Sequence, residues 1–314
     1  MTQPGGVLVV GSVAQDFVES PRVRLDGELG GSAVYFALAA RYFGPVAVIG
    51  AVGADRASEL RQVLDFADLS RLTVTQEPTY TWRARREVDG GEAETLERFA
   101  GGYAGYRPQM EPLEALPRTV FLGSADPELQ VAVARTLPPG TMVAGDTMDI
   151  FIERQRPLVE QMLTSCRVLF ATEHELELLA RTRGIAAAAT LALDRFDLGA
   201  AVVKRGAGGA ILRTRDRHDR LQAPEVDVID PTGAGDALAG GMLGRLAEVT
   251  AADSVGGSGA GRSTMAADTL LEAMAWGMVT ASFAISAPGL AGLRNAGMDQ
   301  VVARLVSYRR EEGL

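Results

Sequence analysis

The sequence predicts a three-layer α/β/α domain with a mostly parallel central sheet and a small β-sheet lid, and three observations carry that expectation. Short, continuously apolar runs at 7–10, 46–49, 119–122, 142–144, 168–171 and 200–203 alternate with longer segments of helical spacing. Strands apolar on both faces belong in a parallel sheet covered by helices on either side. Two polar, hairpin-like segments, 18–28 and 79–99, interrupt the alternation. A glycine-rich turn at 230–241 opens a helix, and ligands of such sheets bind at the carboxyl ends of the strands.

The first run, Val7-Leu8-Val9-Val10, is short and has no basic residue before it, so it reads as a first strand and not as a signal peptide. Helical spacing follows at 32–42 and 56–66, and again at 128–137 and 152–163. Between them, Tyr80-Thr81-Trp82-Arg83-Ala84-Arg85 precedes Asp89-Gly90-Gly91, a hairpin signal. With 18–28 it would form a sheet standing off the main domain, a lid over a strand-end site. The expected boundaries are 17–30 and 74–100 for the lid, and 1–16, 31–73 and 101–314 for the core. Residues 251–264, rich in glycine and serine, read as a surface loop. Residues 273–293 carry no charge and nominally reach the length of a membrane span, but Ala, Gly, Ser and Thr dominate and Pro288-Gly289 breaks the run. They read as a buried helix ending near Ser286.

Composition removes several chemistries. Lys204 is the sole lysine among 31 basic residues, and no Gly-Lys pair exists, so a lysine-gripped Walker A loop is absent. Cys166 alone makes neither a disulfide nor a thiolate zinc site, and His174 and His218 have no partner at metal spacing. No Gly-x-Ser-x-Gly elbow occurs, and no Gly-x-Gly-x-x-Gly follows the first strand, which disfavours a nucleotide-dependent oxidoreductase. A net charge of −9 with no basic block argues against a nucleic-acid partner, and the composition fits a soluble, cytoplasmic protein with no membrane partner.

The most informative stretch is Asp230-Pro231-Thr232-Gly233-Ala234-Gly235-Asp236, expected to follow a strand at 226–229 and to open a helix. Glycines at a helix start leave backbone N–H groups unpaired and uncovered, which makes an anion site. Such a site stabilises a phosphoryl group in transfer, and Asp236 beside it could take the proton of an attacking hydroxyl. The plainer alternative is a tight turn with Asp236 as a favourable first-turn acid.

On this turn the chain resembles the ribokinase-like (pfkB) carbohydrate kinase family, departing from its signature only at Pro231. The likeness extends through Gly11-Ser12-Val13-Ala14-Gln15-Asp16, Gly30-Gly31-Ser32 and Gly50-Ala51-Val52-Gly53-Ala54-Asp55. The resemblance implies a ribokinase-like fold with a β lid and ATP-dependent phosphorylation of an alcohol. It also implies magnesium and, near Asp230 and Thr232, often a monovalent cation such as potassium. By position and resemblance, Asp16 would bind substrate hydroxyls from the carboxyl edge of the sheet, with Gly30 and Gly31 allowing close approach. Tyr35 stands where the family commonly has a sugar-binding Asn; with Tyr80 and Trp82 it would suit an aglycone or nucleobase, or it is simply a packed aromatic. Thr172-Glu173-His174-Glu175 resembles the family's metal and phosphate element, with Thr172 replacing Asn, so Glu175 and Thr172 would hold magnesium through water. His174 reads as solvated. Lys204, Gly206 and Gly208 resemble the nucleotide-side loop, although Lys204 fits equally well as a strand-end surface charge, and the uncharged helix would line the adenine pocket. Asp146-Thr147-Met148-Asp149 suits substrate or metal contact, or a helix cap. The expected activity is a sugar or nucleoside kinase; a non-catalytic binder of the same fold is the alternative, motivated by Tyr35 and Thr172. Exposed lid edges would suit a homodimer.

Overall fold

The computed structural model describes residues 6–88, 93–108, 110, 117–255 and 266–314. The chain begins with β1 (Val7–Val10), then β2 (Ala14–Glu19), β3 (Arg24–Gly30), α1 (Ser32–Ala40), β4 (Val46–Gly53), α2 (Ala57–Val63) and β5 (Leu72–Thr75). A second pair, β6 (Tyr80–Arg85) and β7 (Glu94–Phe99), precedes β8 (Thr119–Leu122), α3 (Pro127–Thr136), β9 (Met142–Asp146), α4 (Asp149–Arg154) and α5 (Arg156–Leu163). There follow β10 (Val168–Thr172), α6 (Glu173–Ala180), α7 (Ile185–Phe196), β11 (Ala200–Lys204), β12 (Ala210–Arg213) and β13 (His218–Leu221). The chain closes with α8 (Ala234–Val255), α9 (Ala267–Ile285), α10 (Ala291–Asn295) and α11 (Met298–Glu312).

The main sheet runs β13-β12-β11-β10-β9-β8-β1-β4-β5, parallel from β11 to β5 with an antiparallel β12–β13 edge. Period-two alternation decides which layer each strand residue feeds. Val7 and Val9 join a core shared with α1, α8 and α9, while Leu8 and Val10 join one shared with α3, α5, α6 and α7. Phe36 of α1 stacks on Phe121 of β8 at 4.7 Å, which fastens the first layer to the sheet. All six apolar runs are strands, as expected. The uncharged stretch is α9, ending at Ile285 and buried between α8 and α11, and among the described residues no helix is long and apolar enough to cross a membrane.

A separate four-stranded sheet, ordered β3-β2-β6-β7, carries the two hairpin-like segments; β2 and β6 pair in parallel and the flanking pairs are antiparallel. The turn expected at Asp89-Gly90-Gly91 and the glycine-rich loop from 256 onward lie outside the described residues.

Three local expectations are corrected. Residues 152–163 form two helices broken at Gln155, because Pro157 has no N–H to continue the first one and starts a new helix instead. Residues 226–229 are not a strand: they run beside the end of α9, where the Ile285 carbonyl accepts from Ile229 and Asp230 N–H at 2.8 and 3.2 Å. Asp16 does not follow a main-sheet strand but lies within β2 of the small sheet, where the pairing with β3 slips between Asp16 and Phe17 and re-aims the side chain.

Candidate active site

One cavity of about 1060 Å³ opens between the small sheet and the carboxyl ends of the main strands, lined by lid residues such as Tyr80, Trp82 and Arg86, by Asp16, and by 231–236 at the start of α8. Sequence elements far apart build its floor. Ser12 and Ser32 exchange backbone-to-hydroxyl hydrogen bonds at 3.0 and 3.1 Å, which ties the end of β1 to the start of α1. Gly30 has no room for a side chain, since a β-carbon there would lie 2.0 Å from an Asp16 carboxylate oxygen. Gly31 has φ +97° and a β-carbon on it would meet the Ser12 carbonyl at 2.4 Å. These glycines therefore serve the packing of Asp16 and Ser12, where close substrate approach was expected; Gly31 also lines the cavity, and Gly30 is not among the lining residues.

At the start of α8, Asp230 holds the loop in place. One of its oxygens accepts from Thr232 N–H and the other from Gly289 N–H, both at 3.0 Å. Gly233 takes φ +75°, and a β-carbon on it would strike the Tyr35 ring at 2.2 Å. Tyr35 is thus the platform under the turn; at 1% exposure it is packed beneath Gly233, and it stands among the residues lining the cavity. At the helix start the Ala234 N–H donates to the Pro231 carbonyl at 3.3 Å, and Gly233, Ala234, Gly235 and Asp236 all line the cavity.

Two carboxylates share this floor. Burial first, then the charges of Asp230 and Asp236, raise Asp16 to about 7 against the pull of the Gly31 N–H. Burial first, then Asp146, raise Asp236 to about 7 against the pull of Lys204. The Tyr35 hydroxyl is buried with no hydrogen-bond partner among the described residues, and burial followed by Asp16, Asp230 and Asp236 holds its pKa well above the usual value while Arg86 opposes them. These shifts bear on stability. An Asp that ionises near 3.8 in the unfolded chain and near 7 in the folded one favours folding fully below pH 3.8, and the contribution is lost as pH rises to about 7. Asp16→Asn is therefore expected to raise the melting temperature of the ligand-free protein at pH 8 and to leave it nearly unchanged at pH 4; equal gains at both values would contradict the burial of this charge.

Lys204 proves to be neither a surface charge nor an exposed phosphate grip. Its ammonium donates to both oxygens of Asp146, at 2.6 and 2.9 Å, from the end of β11 across β10 to the end of β9. Its Nζ also lies 3.4 Å from where a β-carbon on Gly235 would be, so the pair sits directly behind the start of α8. Asp146 is accordingly an ion-pair partner and no helix cap; Met148 occupies the N-cap of α4. Gly206 and Gly208 form a turn after β11 and, like Lys204, Thr172, Glu175 and Asp230, are not among the residues lining the cavity.

Thr172 caps α6. Its hydroxyl accepts from Glu175 N–H at 3.2 Å and the Glu175 carboxylate accepts from Thr172 N–H at 2.7 Å, a reciprocal capping box. His174 is exposed, as expected. Among the described residues no three acidic, His or Cys side chains are grouped to hold an ion, and Lys204 already places a cation beside Asp146 and Glu175. A divalent metal fits here only if it arrives on nucleotide phosphates. The Asp230–Thr232 loop fits a monovalent cation poorly, because both Asp230 oxygens serve the backbone and the Arg86 guanidinium stands at the Thr232 hydroxyl, 3.4 Å away. Arg86 is a site residue that sequence reasoning missed. It lies in a stretch of alternating lid residues, and nothing in its local pattern marks it from Arg83 or Arg85.

A helix N-terminus with a carboxylate in its first turn, at the floor of a cleft over parallel strand ends, defines a protein that transfers or binds anionic groups. The model of the pfkB family of carbohydrate kinases matches residues 8–294, and the chain belongs to that family, whose members are phosphotransferases with an alcohol group as acceptor. Family membership implies ATP and a divalent metal. The chain is 26% identical to a nucleoside kinase of Methanothermobacter thermautotrophicus over 265 residues, covering 77% of this chain and 83% of that protein. It is 25% identical to a nucleoside kinase of Methanocaldococcus jannaschii over 146 residues, 46% of this chain and about half, 47%, of that protein. Its fold matches a solved fructokinase double mutant from Vibrio cholerae, described with fructose, ADP and potassium ion, with TM-score 0.76, 21% identity, and 97% and 99% of the two chains covered.

Proposed function

We propose that the chain is an ATP-dependent kinase that phosphorylates a primary hydroxyl of a small sugar or nucleoside, with Asp236 as general base. The observation that carries this reading is the placement of Asp236, the Gly233–Gly235 amides and Asp16 in one cavity. Asp16 would accept hydrogen bonds from acceptor hydroxyls and so aim one of them at Asp236. As the substrate oxygen bonds to the γ-phosphorus, its proton passes to the Asp236 carboxylate and the bond to the ADP oxygen breaks. Negative charge gathering on the phosphoryl oxygens would meet the amides of Gly233 and Gly235, with that of Ala234, held at 3.3 Å by the Pro231 carbonyl, between them. Magnesium would enter on the nucleotide, held through water by Glu175 in the first turn of α6, and supplies charge neutralisation when bound; the Thr172 hydroxyl is engaged by its cap. Lys204, with Gly206 and Gly208 after it, would border the nucleotide from behind the cradle.

The acceptor side favours a nucleoside over a bare sugar. Tyr80, Tyr103 and Tyr106 stand edge to face along the cavity wall, with centroids 6.2 and 5.6 Å apart, and Trp82 and Phe151 line the same space. Tyr103 is pinned, donating to the Gly11 carbonyl and accepting from Ala51 N–H at 3.2 Å, so its ring is a rigid surface for a base. Relatives named nucleoside kinases support this preference. The lid would also carry a homodimer, since β7 is exposed along its length with Leu96 and Phe99 outward.

The deciding experiment is ATP-dependent product formation across a panel of sugars and nucleosides. Turnover with a nucleoside at lower KM than with its free sugar supports the reading. Silence across the panel, with clear ligand-induced melting shifts, would instead mark a non-catalytic binder.

A further inference from the structure

We propose that Arg86 is a catalytic residue of the lid, whose guanidinium meets the phosphoryl group in transfer at the 231–236 cradle. The inference rests on the kinase reading above and adds to it a residue of the small sheet.

Arg86 follows directly on β6, and its backbone N–H donates to the Glu19 carbonyl at 2.8 Å, so the lid sheet aims its side chain. The guanidinium reaches inward to the Thr232 hydroxyl at 3.4 Å and faces Asp230 and Tyr35. It lines the same cavity as Thr232, Gly233, Gly235 and Asp236. Three other arginines line that cavity and are engaged away from the cradle or unpaired: Arg98 bonds to Thr95 and Arg107 pairs with Glu128 at 3.5 Å, while Arg154 has no ion-pair partner among the described residues. Arg86 is the cavity arginine that reaches the cradle.

The loop itself has other supports. Asp230 already accepts from two backbone amides, so its hydrogen bonding does not require a guanidinium. Burial opposes the charge on Arg86, and Asp230 and Tyr35 favour it. A planar guanidinium grips a multiply charged phosphate with two parallel hydrogen bonds, and Arg86 stands where such a group would meet the turn.

The charge balance points the same way. Asp16 and Asp236 lie on the floor with Asp230 behind the loop, and an incoming triphosphate adds more negative charge. Lys204 is neutralised by Asp146 on the far side of the cradle. Arg86 thus brings the positive charge on the cavity side, where the equatorial phosphoryl oxygens develop charge as the bond to the substrate oxygen forms and the bond to ADP breaks. An arginine in that position contributes roughly 10³- to 10⁵-fold to kcat in other phosphoryl-transfer enzymes.

The test compares the full-length protein with Arg86→Ala and Arg86→Lys, each checked for an unchanged melting temperature. Arg86→Ala is expected to lose about 10³-fold in kcat with acceptor KM within a few-fold, and millimolar guanidinium ion should restore part of the rate to the variant but none to the wild type. Binding of ADP alone should be unchanged, while binding of ADP with aluminium fluoride and acceptor, a mimic of the transferring group, should weaken in parallel with kcat. Arg86→Lys, which keeps the charge without the fork, should fall between. An active wild type with an undiminished Arg86→Ala rate, or an effect confined to acceptor KM, overturns the proposal alone. A wild type that neither turns over nor binds the fluoride complex overturns the kinase reading and this proposal with it.

Discussion

Asp236→Asn is expected to lower kcat by about 10³-fold while leaving acceptor binding nearly intact, because a positioned general base contributes roughly 10²- to 10⁴-fold. The substitution keeps the shape of the first turn of α8 and removes only the capacity to accept a proton. The raised pKa is what suits this carboxylate to proton abstraction, since a base near 7 is ionised at working pH yet basic enough to take a hydroxyl proton. In the wild type the rate should accordingly rise as pH increases through about 7, and in Asp236→Asn the residual rate should lose that step. The variant should also resist heat better than the wild type above pH 7 in the absence of ligands, since it lacks a carboxylate that burial penalises when charged. A stable variant with wild-type kcat would dismiss Asp236 as the base, and an equally slow variant with a lowered melting temperature would point to a collapsed turn.

Lys204→Met is expected to cost about 3–5 kcal/mol of stability, the penalty of leaving a buried charge without its partner. The Asp146 side chain is only 5% exposed, and Lys204 supplies hydrogen bonds to both of its oxygens. The loss reaches further than one pair. Lys204 also draws down the raised pKa values of Glu175 and Asp236, so without it both carboxylates hold their protons to higher pH. The pH–rate profile of Lys204→Met should therefore move to the alkaline side, and Asp146→Asn added to it should recover a large part of the lost stability, measured by denaturant unfolding. Unchanged stability in the single variant would mean that water reaches the pair and that it contributes as little as a surface ion pair does.

Much of the architecture is legible in the sequence. Apolar runs with no polar face leave a strand no option but a doubly covered sheet, and all six are found there. The turn at 230–236 is readable because glycine, threonine and aspartate at a helix start each have a local physical role. Local rules also account for the errors. Pro157 breaks an otherwise helical spacing, and 226–229 has strand composition but no neighbouring strand to complete a ladder. Thr172 and Glu175 stand three residues apart at a helix start, and the capping box that this spacing allows engages the Thr172 hydroxyl.

What the sequence determined by itself was the fold class, the glycine-rich turn with Asp236 at a helix start, and the membership of the chain's motifs in one family, because each depends on residues close together or on a repeating period. Tertiary structure alone decided which charges meet. The Lys204–Asp146 pair, the seating of Gly233 on Tyr35, the Gly30 cleft filled by Asp16, and Arg86 reaching from the lid to Thr232 all join residues that lie apart along the chain. Charge interaction depends on distance and burial, and neither is written in local sequence until the sheet brings its strand ends together.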